Sequence, residues 1–260
     1  MINLLGRLFL VRILMLIDII SMLTVSFKNA LRAFSQGTLA IRMVLLRQLY
    51  FTGLEATYII VIIAVIIGIV IIAQVESLVG YNGSLTGKIL VWVVLRELAP
   101  LLTAIIVIAR SGTAIATELG SMKINGEIES IEMLGIPAES YLVMPRIVGV
   151  TASMFVLTVH FVLAIFVGSF IVASVGWHIP PDHLFQGIMA SLGVKEIVML
   201  FSKSIFFGLF VSSICCWYGL GVGQNSTEIP QAATRAVMSS LFAVFLLDGL
   251  ITYFVSSTFS

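Results

Sequence analysis

Long apolar runs separated by short polar stretches set the pattern of this chain. A helix needs about 20 mostly apolar residues to cross a bilayer, and five runs reach that length: 55–79, 88–117, 146–175, 196–222 and 232–257. A turn at Gly80-Tyr81-Asn82-Gly83-Ser84 separates the first two, and Gly176-Trp177-His178-Ile179-Pro180-Pro181 follows the third. Gly219, Gly221 and Gly223 break the fourth. The pattern predicts an all-α integral membrane protein, a single domain over residues 1–260, with no internal repeat.

The N-terminal region reads differently. Ile13–Val25 has the length of a signal-peptide core. Asp18 interrupts it, however, no small-x-small cleavage site follows, and Lys28 and Arg32 continue the positive charge. At helical spacing Asn3, Arg7, Asp18, Ser21, Lys28, Asn29 and Arg32 share an arc of roughly 100°, with Arg12 off it. Residues 3–35 are expected to form an interfacial helix, within an elbow region of 3–47, and a short transmembrane span is the alternative.

Lys and Arg near span ends set orientation. Arg7, Arg12, Lys28, Arg32, Arg42 and Arg47 precede span one; Arg110, Lys123 and Arg146 mark the connection between spans two and three; Arg235 follows the loop after span four. The opposite loops hold only Lys88 and Lys195. The N-terminus and the 118–145 loop are therefore expected in the cytoplasm and the C-terminus outside.

Residues 118–138 form a candidate coupling segment. Span two enters it through Glu118, Gly120 and Met122, and a helix is predicted over 121–136. Ile124, Ile128 and Ile131 share one face of it, while Glu127, Glu129 and Glu132 lie mostly elsewhere. Gly135 and Pro137 end it. An apolar stripe edged by carboxylates suits a groove on a soluble partner. Gly112, Ala116 and Gly120 recur every four residues, a spacing that lets two membrane helices approach closely.

Ionisable residues at membrane depth are costly and face a cavity or a partner. Arg96, Glu97, Lys203 and Asp248 come from three separate spans. Rise per residue places all four roughly 10–15 Å below the outer surface. They read either as a structural ion-pair layer or as a polar patch lining a substrate path. Adjacent on a helix, Arg96 and Glu97 point about 100° apart and cannot share one partner. Pro100 should kink the helix just beyond them.

Composition narrows the functions. Of 260 residues, 60% are hydrophobic and 10% charged, and net charge is +1, so nucleic acid is not an expected partner. Cys215 and Cys216 are adjacent in an apolar run and read as packing residues. Gly83-Ser84-Leu85-Thr86-Gly87-Lys88-Ile89 is one residue short of a P-loop and lacks its Ser or Thr. His178 and His183 are too few to argue a metal site. No catalytic motif is present, so no enzyme activity and no cofactor bound by this chain are expected. A secondary transporter using the charged layer as an ion or proton relay remains open at this point.

Several short motifs combine: Arg47-Gln48-Leu49-Tyr50 with Gly53; Leu95-Arg96-Glu97-Leu98-Ala99-Pro100; Ala109-Arg110-Ser111-Gly112; Glu118-Leu119-Gly120-Ser121-Met122; Glu132-Met133-Leu134-Gly135-Ile136; Pro145-Arg146; Lys203-Ser204; Ala233-Thr234-Arg235; and Asp248. Together they resemble the MlaE permease family, membrane subunits of ABC transporters that move phospholipids between the inner and outer membranes of Gram-negative bacteria. The resemblance covers roughly residues 40–258. It implies a homodimeric inner-membrane permease with an N-terminal interfacial helix and five spans. A cytoplasmic ATPase, which uses ATP and Mg, would dock on the coupling segment, and a periplasmic MCE-domain protein would sit on the outer face. Lipid would pass through a cavity at the dimer interface, with Arg96, Glu97, Lys203 and Asp248 as its polar residues. Ala99 stands where the family often has Gly, which bears on packing in span two.

Overall fold

The computed structural model describes residues 15, 17–26, 28, 39–80, 82–176 and 181–258, and all regular structure among them is helical. The short apolar helix α1 is Ile17–Ser26. Five helices long and apolar enough to cross a membrane are α2 (Arg42–Val79), α3 (Gly83–Ile124), α5 (Glu139–Val175), α7 (Val194–Leu220) and α8 (Glu228–Thr258). Between them lie two short helices, α4 (Glu127–Met133) and α6 (Pro181–Ser191). Asn3, Arg7, Arg12, Asn29, Arg32 and most of the expected interfacial helix lie outside the described residues, as do Tyr81 and His178.

The five expected spans are present, with shifted boundaries. α2 starts thirteen residues before Glu55 because a π-helical turn over Tyr50–Leu54 carries the helix through the motif there. The turn between α2 and α3 is shorter than expected. Gly80 closes α2 at φ +69°, and the Asn82 side chain caps α3 by accepting from Leu85 N–H at 3.3 Å, so Gly83 is already helical. An Asn at this position satisfies one of the otherwise orphaned N–H groups. α7 stops at Leu220, two residues short of the expected end. The predicted coupling helix over 121–136 is two pieces: α3 runs on to Ile124, Gly126 at φ +71° reverses the chain, and α4 covers only Glu127–Met133.

The chain forms two compact units. The first comprises Met1–Tyr50, Ile108–Thr151 and Leu209–Ala243. Within it α1 is held by an indole–carboxylate bond, Trp217 Nε1 donating to Asp18 Oδ2 at 3.3 Å, and Ile19 is buried. The small-residue stripe of α3 meets the end of α7. A Cβ on Gly219 would lie 2.9 Å from Leu119 Cβ and 3.0 Å from the Ala116 carbonyl, and one on Gly120 would lie 3.0 Å from Val222 Cγ2. Gly112 is buried at the end of a second π-helical turn, Ile108–Gly112. Cys215 and Cys216 are buried free thiols, in keeping with a packing role.

The second unit comprises Phe51–Val107, Ala152–Gly208 and Val244–Ser260. Here α2 and α5 nearly touch: a Cβ on Gly68 would lie 2.8 Å from the Ile165 carbonyl oxygen, and Ser169 donates to the Gly68 carbonyl at 3.2 Å. α6 is pressed equally closely on the first turns of α3. A Cβ on Gly87 would sit 2.5 Å from the Leu184 carbonyl oxygen and 2.9 Å from Ile188 N. The glycines of the near-P-loop stretch are thus explained by helix contact. α8 buries little of its surface, and Met238, Phe242, Phe245, Leu250 and Tyr253 are exposed.

These contacts set the first prediction. Gly87→Ala and Gly219→Ala each push a methyl into backbone or Cβ atoms that cannot swing away. Overpacking of this kind costs roughly 1–3 kcal/mol. Both variants should unfold at lower temperature in detergent. Gly249→Ala, where a Cβ meets nothing within 4 Å, should not. Equal melting of all three would remove close packing as the reason for these glycines.

Candidate functional site: a buried ammonium between two carboxylates

Pro100 has no N–H to give and its ring crowds the carbonyl four residues earlier. α3 answers with a π-helical turn over Val94–Leu98, in which Ala99 N–H reaches back to the Val94 carbonyl. The carbonyl of Arg96, which Pro100 would otherwise serve, is taken by the Lys203 ammonium at 2.6 Å. Lys203 lies on α7 and its side chain is 0% exposed. Its ammonium also contacts Glu97 Oε2 at 2.8 Å and Asp248 Oδ1 at 2.6 Å. The ammonium thus lies against three oxygens, donating to Glu97 and to the Arg96 carbonyl and forming an ion pair with Asp248. This is what a lysine needs to remain charged away from water.

The second oxygen of Glu97 accepts from Thr252 on α8 at 3.1 Å. Its side chain remains 38% exposed, so this carboxylate is the open edge of the cluster. Arg96 turns away, as its place on the helix requires. Its guanidinium pairs with Glu196 at 2.7 Å and stacks on the Trp92 ring at 4.9 Å from the centroid. Glu196 also accepts from Gly193 N–H at 3.2 Å. Of the four charges expected at one level, Glu97, Lys203 and Asp248 form one cluster. Arg96 joins it only through its carbonyl. The cluster holds two carboxylates and one ammonium, an excess of one negative charge.

Sequence reasoning missed Glu196 and Thr252. Glu196 sits at the first turn of α7 and reads as a span boundary; Thr252 is a single hydroxyl in an apolar run. The free carbonyl at Arg96 had a signal, since a proline four residues downstream always orphans it.

In the first unit, the residues of the coupling segment divide. Arg146, buried, pairs with Glu118 at 3.1 Å and donates to the Leu142 carbonyl at 3.0 Å, and its guanidinium lies 4.0 Å from Met122 Sδ. Lys123 caps the end of α7 by donating to the Leu220 carbonyl at 2.5 Å, a favourable place for a cation. Gly120 is buried against Val222, and Ile128 is only 7% exposed. The isoleucine face therefore turns inward, with Ile124 and Ile131 half-buried. What α4 presents outward is Glu127, Glu129 and Glu132, followed by Met133 at 85% exposed, Leu134 at 78% and Ile136, with Gly135 at φ +78° between the last two.

An all-helical chain with five membrane-length helices and charges gathered within them defines a multi-pass membrane protein of the transporter-subunit kind. The family model described as Permease MlaE matches residues 45–254, and the chain belongs to that family of ABC transporter permeases. The intermembrane phospholipid transport system permease protein MlaE of Haemophilus influenzae is 29% identical over 213 residues, covering 80% of this chain and 81% of that protein. A "Probable ABC transporter permease protein" of Synechocystis is 28% identical over 80% of each chain. The chloroplastic TRIGALACTOSYLDIACYLGLYCEROL 1 protein of Arabidopsis thaliana is 28% identical over 67% of this chain and 50% of its own length.

The geometry makes Lys203 the keystone of its cluster. Lys203→Met leaves two carboxylates facing each other, and breaking a buried pair costs about 3–5 kcal/mol, less here because Glu97 is partly wet. The variant should melt well below the unaltered protein, and adding Asp248→Asn should recover part of the loss. A double variant no more stable than Lys203→Met alone would show that the ammonium does not hold Asp248 in place.

Proposed function

We propose that this chain is the permease subunit of an ABC transporter that moves phospholipid between the inner and outer membranes of a Gram-negative cell. It carries no catalysis of its own. ATP and Mg are used by a separate cytoplasmic ATPase, a periplasmic MCE-domain protein caps the outer face, and two copies of the chain form the membrane core. The observation that carries this reading is the half-open Lys203 cluster, set among apolar helices in a chain of the MlaE family. A lipid has a polar head and greasy tails. A partly wet Glu97 beside apolar walls offers one surface for each. The Haemophilus relative's name supports phospholipid as cargo. The bare apolar face of α8 supports a second copy as its cover, since exposed apolar surface on this scale marks an interface or lipid contact. The Lys and Arg distribution supports an N-terminus in the cytoplasm and a C-terminus in the periplasm.

In this reading the ATPase meets α4 and the turn after it. With Ile128 buried, the contact is made by Met133, Leu134 and Ile136, and Glu127, Glu129 and Glu132 meet basic residues at the rim of the partner's groove. Leu134→Asp should leave the permease abundant in the membrane and strip the ATPase from it on purification. Ile128→Asp, which puts a charge inside the chain, should instead lower permease abundance. Co-purification of the ATPase with Leu134→Asp at normal yield would rule out this contact.

Transport is tested in proteoliposomes holding the intact complex. Glu97→Lys and Asp248→Lys bring like charges together around Lys203 and should abolish ATP-driven lipid transfer, while Asp248→Asn should be milder. Reversed variants that assemble and transfer lipid normally would sink the reading of the cluster as part of the path. The cluster's excess negative charge also fits an ion-coupled secondary transporter. Lipid transfer driven by an ion gradient without the ATPase would favour that alternative.

A further inference from the structure

We propose that a cavity on the second unit, separate from the Lys203 cluster, binds the phosphate of a phospholipid headgroup. The cavity is about 370 Å³ and is lined by Lys88, Ile89, Val91 and Trp92 of α3, by Ser191 of α6 and by Glu196 of α7. It exists because Gly87 and Gly187 draw α6 onto α3. Lys88, left over from the near-P-loop stretch, has no ion pair or side-chain hydrogen bond among the described residues, and neither has the Ser191 hydroxyl. Lys88 is exposed and Ser191 half-buried, so both are free to donate to an incoming group. Glu196, the one acid on the wall, is already occupied by Arg96 at 2.7 Å and by Gly193 N–H at 3.2 Å. Arg96 itself stacks on Trp92, and its Nε is buried without an acceptor. Lys88, Arg96 and Glu196 together leave one positive charge. A phosphodiester carries one negative charge.

The remaining walls choose between sources of phosphate. Ile89 and Val91 are apolar, and Trp92 is 58% exposed at the rim. A free phosphate ion gains nothing from them. A glycerophospholipid sets its ester and first acyl carbons there, and tryptophan is a common aromatic anchor for lipid. The site does not depend on the transport reading. It is a place where lipid is held, whatever moves it.

The test uses Trp92 as its own reporter. In the full chain purified in detergent without partners, Trp177→Phe and Trp217→Phe leave Trp92 as the single tryptophan. Brominated phosphatidylglycerol should quench it at about one fifth of the concentration needed by brominated diacylglycerol, which has the same tails and no phosphate. A factor near five is what one lysine contributes to anionic-lipid contact. Lys88→Ala should erase the difference and Lys88→Arg should keep it. Native mass spectrometry of the otherwise unaltered chain gives the same comparison without the tryptophan changes: Lys88→Ala should retain less phosphatidylglycerol. Equal quenching by both lipids, or a preference that survives Lys88→Ala, overturns the site. If excess inorganic phosphate displaces the brominated lipid, the cavity takes the free ion, and the headgroup assignment is overturned.

Discussion

One lysine ammonium organises the second unit of this protein. Lys203 has no access to water, and burying an isolated ammonium would cost far more than a domain's net stability. It is tolerated because Glu97 and the Arg96 carbonyl accept hydrogen bonds from it and the Asp248 carboxylate pairs with it at 2.6 Å. The requirement propagates outward. The carbonyl is free only because Pro100 follows four residues later. Pro100 fits only because α3 widens into a π-helical turn. That turn swings Arg96 toward Glu196 and Trp92. The Arg96–Glu196 pair and the helix irregularity thus follow from placing one cation among apolar helices.

A buried ion pair is weak evidence for stability, since an apolar replacement of similar shape is often as stable or more so. Its presence across α3, α7 and α8 is better understood as specification. Apolar helices in lipid have little to fix their rotation about their own axes, because tails and side chains are equally greasy. A three-oxygen cage around Lys203 fixes the rotation of three of them at once. The close glycine contacts fix others: Gly68 on α2 against α5, and Gly87 on α3 against α6. The two devices differ in what they permit. A glycine contact admits one distance, whereas an ammonium can trade one carboxylate for another.

Much of this was legible in the sequence, and the limits have physical causes. The five spans follow from length and hydropathy alone. Rise per residue put Glu97, Lys203 and Asp248 at one depth, but depth carries no information about which way a side chain faces a neighbour, so the pairing and the partner Glu196 were not readable. The 3.6-residue period grouped Ile124, Ile128 and Ile131 on one face. It could not say whether that face meets a partner or the chain's own interior, and Ile128 chose the interior. α6 was missed because eleven residues starting at the second of two prolines make only three turns, too short for a convincing period. π-helical turns have no composition of their own; among the described residues those at 50–54, 94–98 and 108–112 overlap the short motifs, and the one at 139–143 does not.

The coincidence of motif and irregularity has a mechanical reading. A regular α-helix hides every interior carbonyl, and a π-helical turn releases one and shifts the register of everything after it. α3 carries two such turns within a single continuous helix, one ending just before Pro100 and one ending at Gly112. Between them lies only Ala99–Val107, nine residues of ordinary helix. A change of register at either turn rotates the helix beyond it by a fraction of a turn without breaking it. Arg96 and Glu97 sit inside the first of these turns and Arg110 inside the second. Arg96, Glu97 and Arg110 thus lie in π-helical turns, whereas Lys88, Glu118 and Lys123 lie in regular stretches of α3. Lys203, by contrast, stands in the regular interior of α7 with its ammonium held by three oxygens. The cage therefore has one side anchored on the regular helix of α7 and the other on a π-helical turn of α3.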